Sequence, residues 1–342
     1  MTNRSVGRIA LTMIGLAGAA NAQDAATFYK GKTVTVAIGS APGGGYDTYG
    51  RLVSRHLGKY IPGNPSVIVS NVPGAGGNTA ANNLFYIAPK DGTYIGGLTG
   101  NSVIDPLFSS FSIKHEPNKF QYLASANNDV YICATRTDAP VKAFGDSFAT
   151  EMIIGGSTSA ATSDFPALLN NVLGPKFKLV LGYAGVREIS LAIENKEVGG
   201  ICGTAYSALS VTNPSWFEKN VVKVIAQLHV HGHPELNKAG VPLARSFAKT
   251  DEQREMLDLF FSQTIFGRPY AVAPEVPADR VAVLRKAMFE TLRDADLIAE
   301  AKRLKLDLDP VSGEEVQATV AKIYNAPADL VARTKAAIVP KS

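Results

Sequence analysis

Two glycine-rich segments constrain this chain more than anything else in it: Gly39-Ser40-Ala41-Pro42-Gly43-Gly44-Gly45-Tyr46-Asp47 and Asn71-Val72-Pro73-Gly74-Ala75-Gly76-Gly77-Asn78. Each stands where a short β-branched run hands over to a helical pattern. Thr33 to Ile38 reads as a strand, and Ser66 to Ser70 as another. Asp47 to Tyr60 reads as a helix, because Tyr49, Leu52, Val53, Leu57 and Tyr60 recur at three and four residues. Asp47 is the expected N-cap, its carboxylate accepting from orphan backbone N–H groups. Asn78 to Ala88 reads as a second helix, Pro89-Lys90-Asp91-Gly92 as a turn, and Thr93 to Leu98 as a third strand. A β-α-β-α-β alternation implies right-handed crossovers on a parallel sheet. It also places both glycine segments at the C-terminal edge of that sheet, where open α/β folds hold ligands.

The chemistry of such loops favours an anion. Glycines let the backbone approach a ligand closely, and helix N-termini add partial positive charge. Neither segment contains Lys, Arg or His. A polyphosphate usually wants a lysine or a metal besides backbone amides, whereas amides, hydroxyls and waters suffice for a carboxylate. Neither loop ends in the Gly-Lys-Ser/Thr of a phosphate loop, and Thr79 stands where a dinucleotide fingerprint needs its third glycine. Either segment alone reads equally as a tight turn; two at one sheet edge argue for a ligand site.

The rest of the chain repeats the alternation. Strands are expected at Glu151 to Ile154, Lys178 to Leu181, Val198 to Cys202 and Val221 to Gln227, with helices at Ser163 to Leu173 and Val186 to Asn195. A short strand at Tyr270 to Ala273 precedes helical patterns at Pro277 to Arg293, Asp296 to Leu304, Ser312 to Tyr324 and Leu330 to Ile338. Two α/β units in series, in 342 residues, suit two domains.

Residues 1–22 read as a secretory signal. Arg4 and Arg8 precede an apolar run from Ile9 to Ala19, and Ala20-Asn21-Ala22 offers a cleavage site before Gln23. That run is shorter than the about 20 apolar residues a membrane span requires. Removing it takes the net charge from +4 to about +2, which gives no reason to expect nucleic acid. Cys133 and Cys202 lie in strand-like apolar runs, so an exported chain could pair them or bury them as free thiols.

The loop sequences resemble a known family. Pro42-Gly43-Gly44-Gly45-Tyr46-Asp47 with Arg51, the second loop from Asn71 to Asn78, and Pro89-Lys90-Asp91-Gly92-Thr93 are similar to the Bug-type extracytoplasmic receptors of tripartite tricarboxylate transporters. Phe266-Gly267-Arg268-Pro269-Tyr270 and Ala273-Pro274-Glu275-Val276-Pro277 continue the likeness. The resemblance implies a two-lobed periplasmic binding protein of type II-like α/β architecture, each lobe a mainly parallel sheet flanked by helices, with the ligand in the cleft between them. Lobe 1 would comprise residues 23–125 and 268–342, and lobe 2 residues 126–267. It also implies no catalysis, no cofactor and no metal, a monomer, a small carboxylate as ligand, and the membrane subunits of a transporter as partner.

By position, the resemblance gives the ligand-binding role to Gly43, Gly44, Gly45, Asp47, Gly74, Ala75, Gly76 and Gly77, with Asp47 as a cap or water holder rather than a direct contact. Lobe 2 would add Ser157, Thr158 and Ser159, which otherwise serve as an ordinary helix cap, and Tyr183, which matches a tyrosine-bearing loop of the family. Asn101, after the third strand, is a further polar candidate. The run Val186-Arg187-Glu188 and the strand end Gly203-Thr204-Ala205-Tyr206 depart from the family pattern, which leaves the solute open. A sensory receptor and a dinucleotide-dependent enzyme are the alternatives. His229, His231 and His233 alternate with metal-like spacing, yet a polar loop explains them as well; His56 reads as structural and His115 as lying in a polar loop. The segment Gly155-Gly156-Ser157-Thr158-Ser159 is no nucleophile elbow.

Overall fold

The computed structural model describes residues 27–109, 113–158 and 160–340. The expected signal at 1–22 and the candidate Ser159 lie outside the described residues.

The first unit begins as the pattern requires. Strand β1 (Thr33–Ile38) leads into helix α1 (Gly45–Leu57), β2 (Ser66–Asn71) into α2 (Asn78–Tyr86), and β3 (Tyr94–Gly97) into α3 (Gly100–Phe108). Strand β4 (Gln121–Ser125) ends this stretch. Both β2 and β3 run parallel to β1. α1 buries Tyr49, Leu52, Val53 and Leu57, the stripe its sequence shows. It lies close to the sheet because Gly50 has no side chain: a Cβ there would stand 2.2 Å from Ile38 Cδ1.

The second unit holds β5 (Tyr131–Arg136), β6 (Met152–Gly156), α4 (Ala161–Val172), β7 (Phe177–Leu181), α5 (Val186–Glu194), β8 (Gly200–Ala205) and β9 (Val222–Leu228). β6 is parallel to β7 and β8, while β5 is antiparallel to β8 and β9. Helix α6 (Asp251–Phe261) then returns the chain to the first sheet as β10 (Pro269–Val272), followed by α7 (Ala278–Leu292), α8 (Ala295–Arg303), β11 (Val311–Ser312), α9 (Gly313–Tyr324) and α10 (Ala328–Ala337). The first sheet has the order β11-β4-β10-β3-β1-β2 and the second β7-β6-β8-β5-β9. Each therefore has a parallel part carrying the strand-to-helix loops, and antiparallel strands where the chain crosses over: β4 and β10 in one, β5 in the other.

The two crossings run side by side. Ala126 N–H donates to Arg268 O at 3.0 Å, Gly267 N–H to Asn127 O at 3.1 Å and Asp129 N–H to Thr264 O at 3.0 Å. Beyond them one buried apolar cluster continues from the first sheet to the second. Phe108 of α3, Phe260 of α6 and Phe165 of α4 form successive edge-on ring pairs at 5.5 and 4.9 Å. Helix α10 packs on α3, α4 and α6, and so touches both units.

Cys133 and Cys202 are register partners on β5 and β8, both fully buried, and are joined as a disulfide. His115 corrects the expectation of a polar loop. It is 2 % exposed, with Nε2 2.7 Å from Ser102 O and its ring stacked on Phe120, and burial lowers its pKa. No helix among the described residues is long and apolar enough to cross a membrane.

Candidate functional site

Three loops meet at the C-terminal edge of β1, β2 and β3, and Asp47 ties the first two together. Helix α1 starts at Gly45, so Asp47 is its third residue and not the expected N-cap. The carboxylate reaches back instead: Oδ2 accepts from Gly43 N–H at 2.8 Å and Arg51 Nε at 2.9 Å, and Oδ1 accepts from Asn71 Nδ2 at 2.8 Å. Asn71 Nδ2 also donates to Ser40 O at 3.0 Å. Burial alone would raise the Asp47 pKa, but the bonds from Arg51, Gly43 and Asn71 overcome it and bring it down to about 2. Asp47 is thus a buried anion that shapes loop 1 from behind, and it already holds the Gly43 amide.

Loop 2 turns through four successive residues of positive φ: Gly74 at 133°, Ala75 at 47°, Gly76 at 66° and Gly77 at 103°. That path is costly for side-chain-bearing residues, which explains the glycines and leaves Ala75 as a strained exception. Gly74 O accepts from Gly77 N–H at 2.9 Å, closing the turn onto α2. Thr99, after β3, donates to Gly76 O at 2.7 Å and caps α3 by accepting from Ser102 N–H at 3.2 Å. The loops are therefore braced by side chains from behind while Gly44, Gly45, Ala75 and Gly76 stay exposed. Among the described residues, the N–H groups of Gly44, Gly45 and Tyr46 meet no acceptor, as the first turn of a helix dictates.

Besides Arg51, a second cation serves this edge, and it comes from the far end of the sequence. The Arg268 guanidinium lies 4.3 Å from the centre of the Tyr46 ring and 5.1 Å from that of Tyr49. Its Nη2 would be 3.6 Å from a Cβ on Gly45, directly behind loop 1. Asp129 Oδ2 is 3.8 Å from Nη1, and the side chain is 12 % exposed with Nε unpartnered. A guanidinium held in apolar surroundings reinforces the pull of the helix ends on an anion. The sequence marked Arg268 only as part of a family motif.

The second unit presents loops from the corresponding ends of β6 and β7. Ser157 N–H donates to Thr162 Oγ1 at 2.9 Å, leaving Ser157 Oγ buried without a partner, and Thr158 is exposed. The Tyr183 ring covers Gly155, 3.2 Å from where a Cβ would stand, and is half-buried against Ile189. Asn101 sits half-exposed in the first turn of α3. The two edges approach each other at α3 and α4. Burial raises Asp164 of α4 to a pKa of about 6, and the charge of Asp105 on α3 adds to the shift. Sequence reasoning passed over Asp105, whose one signal is an acid within the apolar run from Val103 to Phe108.

Two other features fall away from this edge. His229 is buried, its Nδ1 accepts from His231 and Gly232 N–H at 2.9 and 2.8 Å, and its Nε2 is 2.9 Å from Asn128 Oδ1. Burial first, then His231 and His233, lower its pKa to about 4. The ring is a neutral brace for its loop, and no group of metal-ligating side chains occurs among the described residues. A groove of about 440 Å³ runs between α7 and the start of α9, lined by Gln121, Arg285, Phe289 and Glu314. Its arginine already donates to Tyr122 O at 2.7 Å, and the adjoining helix start carries Glu314 and Glu315.

No protein-family model matches the sequence, and no curated protein matches it. The fold has close counterparts among solved structures. A TctC solute-binding protein from Polaromonas superposes with a TM-score of 0.68 at 19% identity, over 89% of this chain and 99% of that one. MatC from Rhodopseudomonas palustris with bound malate gives 0.58 at 18% identity, over 90% and 99%. Rpa4515 of R. palustris with adipate gives 0.62 at 17% identity, over 89% and 97%. Over about nine-tenths of its length, this chain shares the two-lobed α/β fold of these periplasmic binding proteins.

Proposed function

We propose that this chain is a Bug-type periplasmic receptor that captures a small carboxylate and delivers it to the membrane subunits of a tripartite transporter. One observation carries the reading: the unengaged N–H groups of Gly44, Gly45 and Tyr46 open α1 beside the exposed turn at Ala75 and Gly76, with Arg268 buried behind loop 1. An anion docking there meets oriented dipoles and a fixed charge without any side chain having to reorganise. The malate and adipate of the two ligand-bound counterparts are carboxylates, in keeping with this chemistry.

Residues 23–125 and 268–342 form lobe 1 in this reading, and 126–267 lobe 2. Gly44, Gly45, Ala75 and Gly76 hold the carboxylate. Gly43, Asp47, Gly74 and Gly77 shape the two loops. Asn101 adds a polar contact from lobe 1, and Ser157, Thr158 and Tyr183 face the ligand from the closing lobe. The protein acts as a monomer in the periplasm without chemical turnover.

A thermal-shift series tests this. A ligand bound only by the folded state raises the melting temperature by mass action, about 2.7 kcal/mol at a hundredfold excess over Kd. Raised melting with one class of organic acid and none with nicotinamide cofactors is expected. The reverse pattern would replace the receptor by a dinucleotide enzyme.

A further inference from the structure

Beside the second glycine loop stands a group of hydrogen-bond acceptors with no donor to match. Asn78 opens α2 and is 8 % exposed. Its Nδ2 donates to Ala75 O at 2.8 Å and to Asp105 Oδ2 at 2.7 Å. Both amide hydrogens are thereby engaged, which fixes the orientation of the group. Its Oδ1 is left buried and unpartnered. Asp105 contributes a half-buried carboxyl with no basic partner among the described residues; burial raises its pKa against the pull of Asn78. Asp164 bears on the same place from the second unit, its Oδ1 accepting from Ser163 Oγ at 2.8 Å. The open space in front of Gly76 faces Asp105. A Cβ built on Gly76 meets nothing nearer than Asp105 Oδ2, at 4.0 Å.

We propose that this pocket receives an ammonium group, so that the cargo is an amino acid and not a simple carboxylate. The inference rests on the carboxylate-receptor reading above and narrows it. The ligand carboxylate lies on the amides of the two loops, and its ammonium points between Asn78 Oδ1 and the carboxyl of Asp105. An ammonium offers three donors and accepts nothing, which answers an orphan amide oxygen and an unpaired carboxyl together. A desamino acid would leave both unsatisfied and bring a further negative charge towards Asp105 and Asp164. The nearness of Asp105 to the loop amides sets the ammonium on a carbon close to the bound carboxylate. Asp164 joins from the second unit as the lobes approach. The cation thus removes a like-charge repulsion that otherwise opposes closure, and the closed state gains from it more than the open one does.

Titration calorimetry with matched pairs tests the proposal: aspartate against succinate, glutamate against glutarate, alanine against propionate. The amino member of at least one pair is expected to bind at least roughly tenfold more tightly than its desamino partner. Asp105→Asn keeps the size of the side chain and removes its charge. It should weaken the amino member at least roughly tenfold while leaving the desamino acid nearly unchanged. Should that variant fail to fold, Asp164→Asn gives the same readout from the opposite lobe. Desamino acids binding as tightly as their amino partners would overturn the ammonium pocket and leave the carboxylate receptor standing. Binding of no acid from either series would overturn both.

Discussion

At the scale of single residues, the site is built by groups that never meet the ligand. Asp47 shows how much rests on one buried carboxylate. Its pKa is depressed to about 2 in the folded chain, against about 3.9 for an unfolded aspartate. A depressed value stabilises the fold fully above the unfolded pKa, and the contribution is lost as pH falls through 4 towards 2. The magnitude is about 2–3 kcal/mol. Asp47→Asn should therefore be less stable than the parent at pH 7 and should lose less on acidification, in urea melts from pH 5 to pH 2. Parallel curves would mean that the Arg51 and Asn71 bonds contribute no net charge effect. The exposed glycines make the complementary case. Gly44 has φ −82° and ψ 171°, and a Cβ there would lie 3.6 Å from its nearest neighbour, Ala41 O. Gly44→Ala should melt like the parent yet bind its carboxylate at least roughly tenfold more weakly, because a methyl group stands in the amide cradle. Gly76→Val additionally forces a β-branched residue to φ +66°, costing about 1–2 kcal/mol, and should abolish binding while the chain stays folded. Unchanged affinity in both variants would move the ligand away from these loops.

At the scale of elements, α1 was legible because every level agrees on it: a three-and-four apolar stripe, a turn of glycines before it and a strand before that. Its one close approach was not legible. Gly50→Ala forces a methyl group to 2.2 Å from Ile38 Cδ1 and should destabilise the protein by about 1–3 kcal/mol in chemical denaturation, with the loop amides left in place. Helix α3 escaped because its first residues, Gly100-Asn101-Ser102, carry no apolar period and Pro106 reads as a breaker. Helix α6 went unread, although the Thr250–Gln253 capping box before Met256, Leu257 and Phe260 marks its start. The strands of Cys133 and Cys202 were readable while their pairing was not, since it depends on the register of β5 against β8 next to a bulge. That bond closes a separation of 69 residues. Replacing both cysteines by alanine should lower stability by up to roughly 4 kcal/mol in denaturant, and an equally stable double variant would show the cross-link to be dispensable. The acceptor pocket lay furthest from the sequence. Asn78 and Asp105 are 27 residues apart and meet only because α2 and α3 leave β2 and β3, the two strands that flank β1 on either side.

At the scale of the whole molecule, the question is where two units that share a core can move. The continuous cluster through Phe108, Phe260 and Phe165 resists separation, because opening it would expose large apolar rings. The paired crossings are the alternative: two short segments joined by three backbone hydrogen bonds, where a few φ and ψ changes can swing one sheet against the other. Their closest packing is at Gly267, where a Cβ would stand 2.6 Å from Asn127 Oδ1 and 2.9 Å from Asp129 Cβ. Gly267 is otherwise at an ordinary φ of −62°, so alanine there is a steric wedge and not a backbone strain. If closure turns on these crossings, ligand should shrink the radius of gyration of the parent in small-angle scattering. Gly267→Ala should respond less, with weaker binding, although all the loop residues remain intact. A variant that binds and contracts like the parent would place the hinge elsewhere. A parent whose radius does not change with saturating ligand would show instead that the cleft is formed before the ligand arrives, and that affinity depends on the preorganised loops alone.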